Sequence, residues 1–256
     1  MTMRFFVTDA PVAGTELALP ASAARHAMVR RVQPGQVLRL FDGSGNDWPA
    51  EVLGVGRNSV TVHVGKPQAV QRELALHVTL ALAMPANDRM DMLVEKATEL
   101  GVARIQPLHS DRSVLRLTGD RADRKRAHWQ AIAQAACEQC GRAVVPQVAA
   151  ALGWSDWLRS LPAPAGHSAR WLLSLHSGAL PAVAHGLPAQ ALCTLSGPEG
   201  GLTLDEEAAA LAAGFVAVDL GPRVLRAETA PLAVLAWAGL SSAGLAARPA
   251  PMPEHG

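Results

Sequence analysis

Two short stretches of this chain gather residues able to do chemistry. In Ser196-Gly-Pro-Glu-Gly-Gly201, Glu199 stands among three glycines; in Gly221-Pro-Arg-Val-Leu-Arg-Ala-Glu-Thr229, Arg223, Arg226 and Glu228 come together. A guanidinium can hydrogen-bond an oxygen on which negative charge develops. A carboxylate beside it can hold the arginine in place, or take a proton if burial raises its pKa. Backbone without a Cβ lets amides approach a ligand closely. The pattern points to proton transfer and anion stabilisation next to a ligand gripped by main chain. One Gly-rich loop alone is often only a tight turn; two of them, one carrying three charged side chains, point to a site.

The elements around these stretches explain how they would be positioned. Residues 191–195 form a short apolar run, the mark of a buried strand, and residues 215–220 form a second. Thr203-Leu-Asp-Glu206 reads as a capping box that starts a helix after the first loop. A last helix begins near Thr229 with Pro231 in its first turn and runs over 230–247. It is apolar nearly all round, so it needs cover on every side. Residues 171–175 make another buried strand, followed by His176-Ser-Gly178, a third loop at a strand end. Upstream, a strand at 74–84, a helix at 89–100 closed by Gly101 and a strand at 102–108 alternate as in a parallel sheet. In such sheets ligands sit at the carboxyl ends of the strands. A long helix over 118–141 buries Trp129, Ile132, Ala133, Ala136, Cys137 and Cys140, and carries Arg121, Arg124, Lys125 and Arg126 on its other face. That basic face reads either as a solvated surface or as one that meets phosphate. Residues 1–72 read instead as short alternating strands, with turns such as Asp42-Gly-Ser-Gly45 and one helix at 21–31, which suggests a small β-barrel.

Composition bounds the class. The 256 residues allow one large domain or two small ones, and 49% apolar content is ample for a core. Nothing apolar approaches the roughly 20 residues of a membrane span. The N-terminus lacks a secretory signal pattern, and a cytoplasmic location follows as the expectation. Three cysteines are too few for a disulfide framework, and Cys137-x-x-Cys140, without a second pair, reads as packing and not as a metal site. Net charge is +1 overall but +3 over residues 1–72, +1 over 73–150 and −3 over 151–256. Bulk charge would not hold this chain on nucleic acid; a local patch must, and the N-terminal part is the better candidate.

The motifs Leu195-Ser-Gly-Pro-Glu-Gly-Gly201 and Leu220-Gly-Pro-Arg-Val-Leu-Arg-Ala-Glu-Thr-Ala230 resemble the cofactor loops of RsmE-type enzymes. Glu95-Lys-Ala-Thr-Glu-Leu-Gly101, Glu138-Gln-Cys-Gly-Arg142, Arg4-Phe-Phe-Val7 and the His26 to Arg31 region are similar to that family too, so the resemblance runs over about residues 4–240. These enzymes belong to the SPOUT superfamily of S-adenosylmethionine-dependent RNA methyltransferases and methylate N3 of a uridine in 16S rRNA. The resemblance implies a PUA-like RNA-binding β-barrel over 1–72, a SPOUT α/β methyltransferase domain with a parallel sheet and a trefoil knot over 73–248, and a flexible tail at 249–256. It implies that Leu175, His176, Leu195, Gly197, Pro198, Glu199, Gly200, Leu220, Gly221, Leu225, Arg226 and Ala227 hold S-adenosylmethionine. It further implies RNA contacts from Arg4, Phe5, His26, Arg30, Arg31, Arg112 and Arg142, and a homodimer built on the knot region. Uridine N3 is a poor nucleophile while it carries its proton. Arg226 is the candidate to stabilise the resulting anion, and Glu228 or Glu199 to accept the proton. Two rival readings remain at this point: a phosphate- or dinucleotide-binding α/β protein, for which no complete glycine fingerprint exists, and a ribosome-assembly factor without activity, which predicts gaps in the cofactor loops.

Overall fold

The computed structural model describes residues 2–163, 166–175 and 178–241. Within these, the chain falls into two compact units: residues 2–73 with Gln134–Val145, and Leu74–Ala133 with 146–241.

The first unit holds β1 (Arg4–Phe6), β2 (Glu16–Ala18), α1 (Ala21–Val29), β3 (Val37–Phe41), β4 (Asn46–Val55), β5 (Val60–Val64) and β6 (Gln68–Ala69). One sheet runs β1-β3-β4-β5-β2, with β6 on β4; only the β1/β3 pair is parallel. Alternation in β5, where Val60, Val62 and Val64 are buried and His63 is exposed, is the period-two pattern visible in the sequence. These valines pack with Phe5, Leu38, Leu40, Trp48 and the alanine face of α1. Helix α1 ends at Val29, two residues short of the expected Arg31, because Arg31 turns to φ +56°.

The second unit opens with β7 (His77–Ala83), α2 (Asn87–Glu99), β8 (Arg104–His109) and α3 (Gly119–Cys140), whose last turns count with the first unit. It continues through β9 (Gln147–Val148), β10 (Leu152–Gly153), α4 (Trp154–Ser160), β11 (Ser168–Leu173), β12 (Leu180–Pro181) and α5 (Ala182–His185). It closes with β13 (Ala191–Ser196), α6 (Leu204–Ala212), β14 (Val216–Asp219) and α7 (Thr229–Leu240). Its sheet has the order β10-β8-β7-β13-β11-β14-β12, with β9 beside β8, and every pair is parallel. The apolar runs at 77–83 and 191–196 are near-continuous because helices cover both faces of such a sheet. One face packs Ala81, Leu172, Leu195 and Phe215 against Trp154 and Trp157. On another strand position, Trp171 stacks on Trp237 of α7, ring centroids 5.8 Å apart and planes 18° apart.

Helix α7 is described only to Leu240, with Ser241 as its cap. The continuation expected to 247 and the tail at 249–256 lie outside the described residues. Pro231, Val234, Leu235 and Ala238 are buried, whereas Leu240 is 84% exposed. Cys137 is buried beside Phe41 and Ala143, and its hydrogen bond to Cys140, together with burial, pushes its thiol upward. Burial pushes the Cys193 thiol up to about 12. Both therefore stay protonated at neutral pH and behave as small apolar groups.

Candidate active site

Parallel pairing decides where the loops go. β13, β11 and β14 are adjacent in the sheet, and Leu173 is level with Ser196 on one side and Val218 on the other. Their carboxyl ends therefore open on the same rim, and the chain beyond each enters one cavity of about 540 Å³. Leu173, Ser174 and Leu175 come from the end of β11, residues 196–199, 201 and 202 from the end of β13, and residues 218–221 and 223–227 from β14 and beyond; Arg89, Glu207 and Ala230 complete the wall. This is a size that takes a small cofactor.

The glycine-rich loop has its shape for local reasons. A Cβ on Gly197 would lie 2.9 Å from Leu202 Cγ and 3.2 Å from the Leu202 backbone nitrogen, so the chain can double back only without one. Gly221 sits at φ +106°, and its N–H donates to Asp219 Oδ1 at 2.8 Å, which turns the chain sharply off β14. The capping box expected at Thr203 is present. Thr203 Oγ1 accepts from Glu206 N at 3.2 Å, and Glu206 Oε2 accepts from Thr203 N at 2.9 Å. Glu206 also takes the Asp111 N–H at 2.8 Å on Oε1 and is only 6% exposed. It thus ties the 109–114 loop to the start of α6. We expect Glu206→Ala to lower unfolding free energy by about 2–4 kcal/mol, since it removes a cap and strands buried amides. A urea midpoint equal to wild type would rule out this tie.

The side chains expected to act fall into distinct settings. Arg226 lines the cavity and is exposed. Glu228 is not among the lining residues; it is 4% exposed at the N-cap of α7, and its Oε2 has no hydrogen-bond partner among the described residues. Glu199 is in the wall but engaged: its Oε1 accepts from Arg89 Nη1 at 3.0 Å and from Ala86 N at 3.3 Å. Glu199 therefore pins the loop to the start of α2. Gly197, Pro198, Leu220, Gly221, Leu225 and Ala227 also line the cavity, as does Leu175. Leu195 does not; it is fully buried in the core with Trp154 and Leu172, because alternation along β13 turns it away from the cavity between Thr194 and Ser196. Gly200 faces Arg112, whose Cβ would be 3.4 Å from a Cβ there. His176 lies outside the described residues.

Sequence reasoning missed Ser174, Glu207, Asp219 and Arg89 in the wall, whereas Ser196 opens the glycine-rich loop already expected to grip the ligand. Ser196 is 3% exposed, its Oγ without a hydrogen-bond partner among the described residues, and Ser174 Oγ donates to Glu207 Oε1 at 3.3 Å. Standing where strands give way to loops, Ser174 and Asp219 could have been found by asking what stands at each strand's carboxyl end.

The residues expected to touch RNA also divide. Arg30 and Arg31 are exposed, as is Arg25. Arg4 is nearly buried, paired with Asp47, placed over the Phe41 ring and donating to the Arg142 carbonyl at 2.9 Å. Phe5 is 1% exposed and belongs to the core. Arg142 is 3% exposed, its guanidinium on Glu73 with Nε donating at 3.1 Å to both carboxylate oxygens. His26 is paired through Nδ1 with Glu138 at 3.0 Å, and Glu138 also accepts from Phe6 N at 2.9 Å. These four side chains hold the first unit together from within. Arg112 donates to the carbonyls of Gly200 at 2.9 Å and Leu202 at 3.3 Å, so it braces the glycine-rich loop.

Comparison with known proteins adds the following. Residues 72–239 match the family described as the RNA methyltransferase domain, and residues 19–65 match the RNA methyltransferase PUA domain. The chain is similar to the ribosomal RNA small subunit methyltransferase E of Synechocystis, 35% identical over 210 residues, covering 81% of this chain and 67% of the relative. It is also similar to that of Mycobacterium bovis, 32% identical over 243 residues, covering 94% and 92%. The crystal structure of a ribosomal RNA small subunit methyltransferase E from Neisseria gonorrhoeae, bound to S-adenosyl methionine, superposes with a TM-score of 0.87 at 36% identity, over 93% of this chain and 97% of that one.

Proposed function

We propose, for a chain that belongs to the RNA methyltransferase family, that it transfers the methyl group of S-adenosylmethionine to N3 of a specific uridine in the 16S rRNA of the small ribosomal subunit. The observation that carries this is the convergence of three strand-end loops on one cavity with a free-standing arginine in its wall.

The residues present fit the cofactor. Ser196 Oγ, buried and without a partner, offers a hydrogen bond to a polar ligand group. Backbone freed of Cβ at Gly197 and Gly221 lets amides and carbonyls reach an adenine edge. Leu173, Leu220 and Leu225 supply apolar wall for its faces. When bound, S-adenosylmethionine supplies an activated methyl on a sulfonium, so the protein needs to add alignment, dryness and charge control. Arg226 takes the anion that spreads over uridine O2 and O4 once N3 loses its proton. Glu228, two residues on, is the proposed acceptor of that proton through its unpartnered oxygen. Glu199, held by Arg89, shapes the cofactor loop.

The same reading extends to residues 1–72 as the RNA-binding module, with Arg30 and Arg31 as exposed contacts, and to residues 73–248 as the methyltransferase domain. The exposed apolar end of α7 at Leu240 favours a homodimer through that helix, and the strand order that seats β13 between β7 and β11 favours the trefoil-knotted path of the superfamily. A ribosomal substrate and the lack of any helix long and apolar enough to cross a membrane among the described residues favour a cytoplasmic location.

Titration calorimetry is expected to give saturable S-adenosylmethionine binding. Mass spectrometry of rRNA is expected to show one N3-methyluridine that is lost when the gene is deleted and restored by the wild-type copy. Heat of dilution only up to millimolar cofactor, with rRNA unchanged by the deletion, would overturn the reading.

A further inference from the structure

We infer that the N-terminal half of α3 is a docking face for the sugar-phosphate backbone of the RNA substrate; this rests on the proposed function and adds a second place where that RNA is held. Residues 112–126 carry six Lys and Arg against two Asp, a net +4 in a chain whose total is +1. Arg121, Arg124 and Lys125 occupy successive i, i+3 and i+4 positions of the helix, so they stand in one row about 5–6 Å apart, with Arg126 on the flank. All four reach solvent.

Two observations separate this row from an ordinary solvated face. Among the described residues none of the four side chains has an ion-pair or hydrogen-bond partner, although Asp120 stands four residues before Arg124 and Asp123 three before Arg126, both placed for a helical pair. The cations also sit in the first two turns of a 22-residue helix, at the positive end of its dipole. There they oppose helix stability, so their position has to be useful for something outside the chain. The same dipole adds to the attraction for a phosphate. The occupant is backbone and not base: of the two rings beside the row, Trp129 is 1% exposed and cannot stack, and His128 is held through Nε2 on Asp91 at 2.8 Å. The chain leading into α3 passes from Arg112, on the Gly200 carbonyl at the cavity rim, through Arg116 to Gly119. An RNA strand lying along the row therefore continues toward the loop that shapes the cavity.

The test is a variant with Arg121→Gln, Arg124→Gln, Lys125→Gln and Arg126→Gln, and its partial form Arg121→Gln/Arg124→Gln. Binding of a labelled small-subunit rRNA transcript is followed by fluorescence anisotropy between roughly 50 and 200 mM salt. Each lost phosphate contact removes about 0.7–0.9 from the slope of log K against log salt, so the slope falls by about 3 in the full variant and about 1.5 in the partial one. The thermal midpoint stays equal or rises, since cations leave the positive end of a helix, and S-adenosylmethionine binding stays unchanged. A slope equal to wild type in both variants overturns the inference and leaves that face to a protein partner or to solvent. A reduced slope in an enzyme that modifies no uridine keeps the docking face and removes the methyl-transfer reading instead.

Discussion

Replacing Arg226 by Ala is expected to lower kcat for rRNA methylation by about 10²–10³-fold while S-adenosylmethionine still binds with wild-type affinity. The side chain is exposed at the cavity wall, and among the described residues Arg226 is tied in through its backbone carbonyl, which accepts from Thr229 N at 2.9 Å and Ala230 N at 3.2 Å. Those main-chain bonds start α7 and survive truncation, so the fold should be unaffected. What disappears is a planar donor for charge that exists only as the uridine loses its N3 proton, a contact of the transition state and not of the bound cofactor. Arg226→Lys should fall between the two, because an ammonium keeps the charge and loses the two-pronged geometry. Single-turnover rates with saturating cofactor, paired with calorimetry, decide the matter. Wild-type turnover by Arg226→Ala would remove this arginine from the mechanism, and a matching loss of cofactor affinity would make it a binding residue.

The second large effect is on stability. Trp171→Ala should cost about 3–5 kcal/mol of unfolding free energy. Trp171 is 2% exposed, lies on the interior strand β11, and stacks on Trp237 of α7 while meeting His185 at a ring distance of 6.3 Å. The neighbours that would have to collapse into the space sit on a sheet hydrogen-bonded on both sides, so the cavity stays. Trp171→Phe keeps most of the apolar volume and should recover roughly half of the loss. Denaturant unfolding measures both. If Trp171→Ala unfolds with the wild-type midpoint, the stacking of α7 on β11 is not what holds the wall of the cavity. Because Arg226 and Glu228 lie in the turn before α7, this substitution should also depress activity further than its distance from the cavity suggests.

Much of the site could be read from residue order. The capping box at Thr203 and Glu206, the glycines at 197 and 221 and the apolar strands before them are local signals, decided by neighbours within a few positions. Arg4, Phe5 and Arg142 could not be placed this way. Their polar or aromatic character suits RNA equally well, and only packing shows Arg142 on Glu73 and Phe5 in the core. Leu195 shows the same limit on a smaller scale, since the motif holding it is recognisable while the face it turns to depends on the register of β13.

By itself, then, the sequence determined the element types, the parallel class of the second unit and the two loops rich in chemistry, because backbone freedom, capping and hydrophobic period act over short stretches of chain. Only the tertiary structure decided that β13, β11 and β14 are neighbours, that Glu199 is bound to Arg89 while Glu228 keeps a free oxygen, and that Ser196 faces the cavity. Those outcomes depend on strand order and on partners more than a hundred residues apart, such as Arg89 and Glu199, and no local preference encodes them.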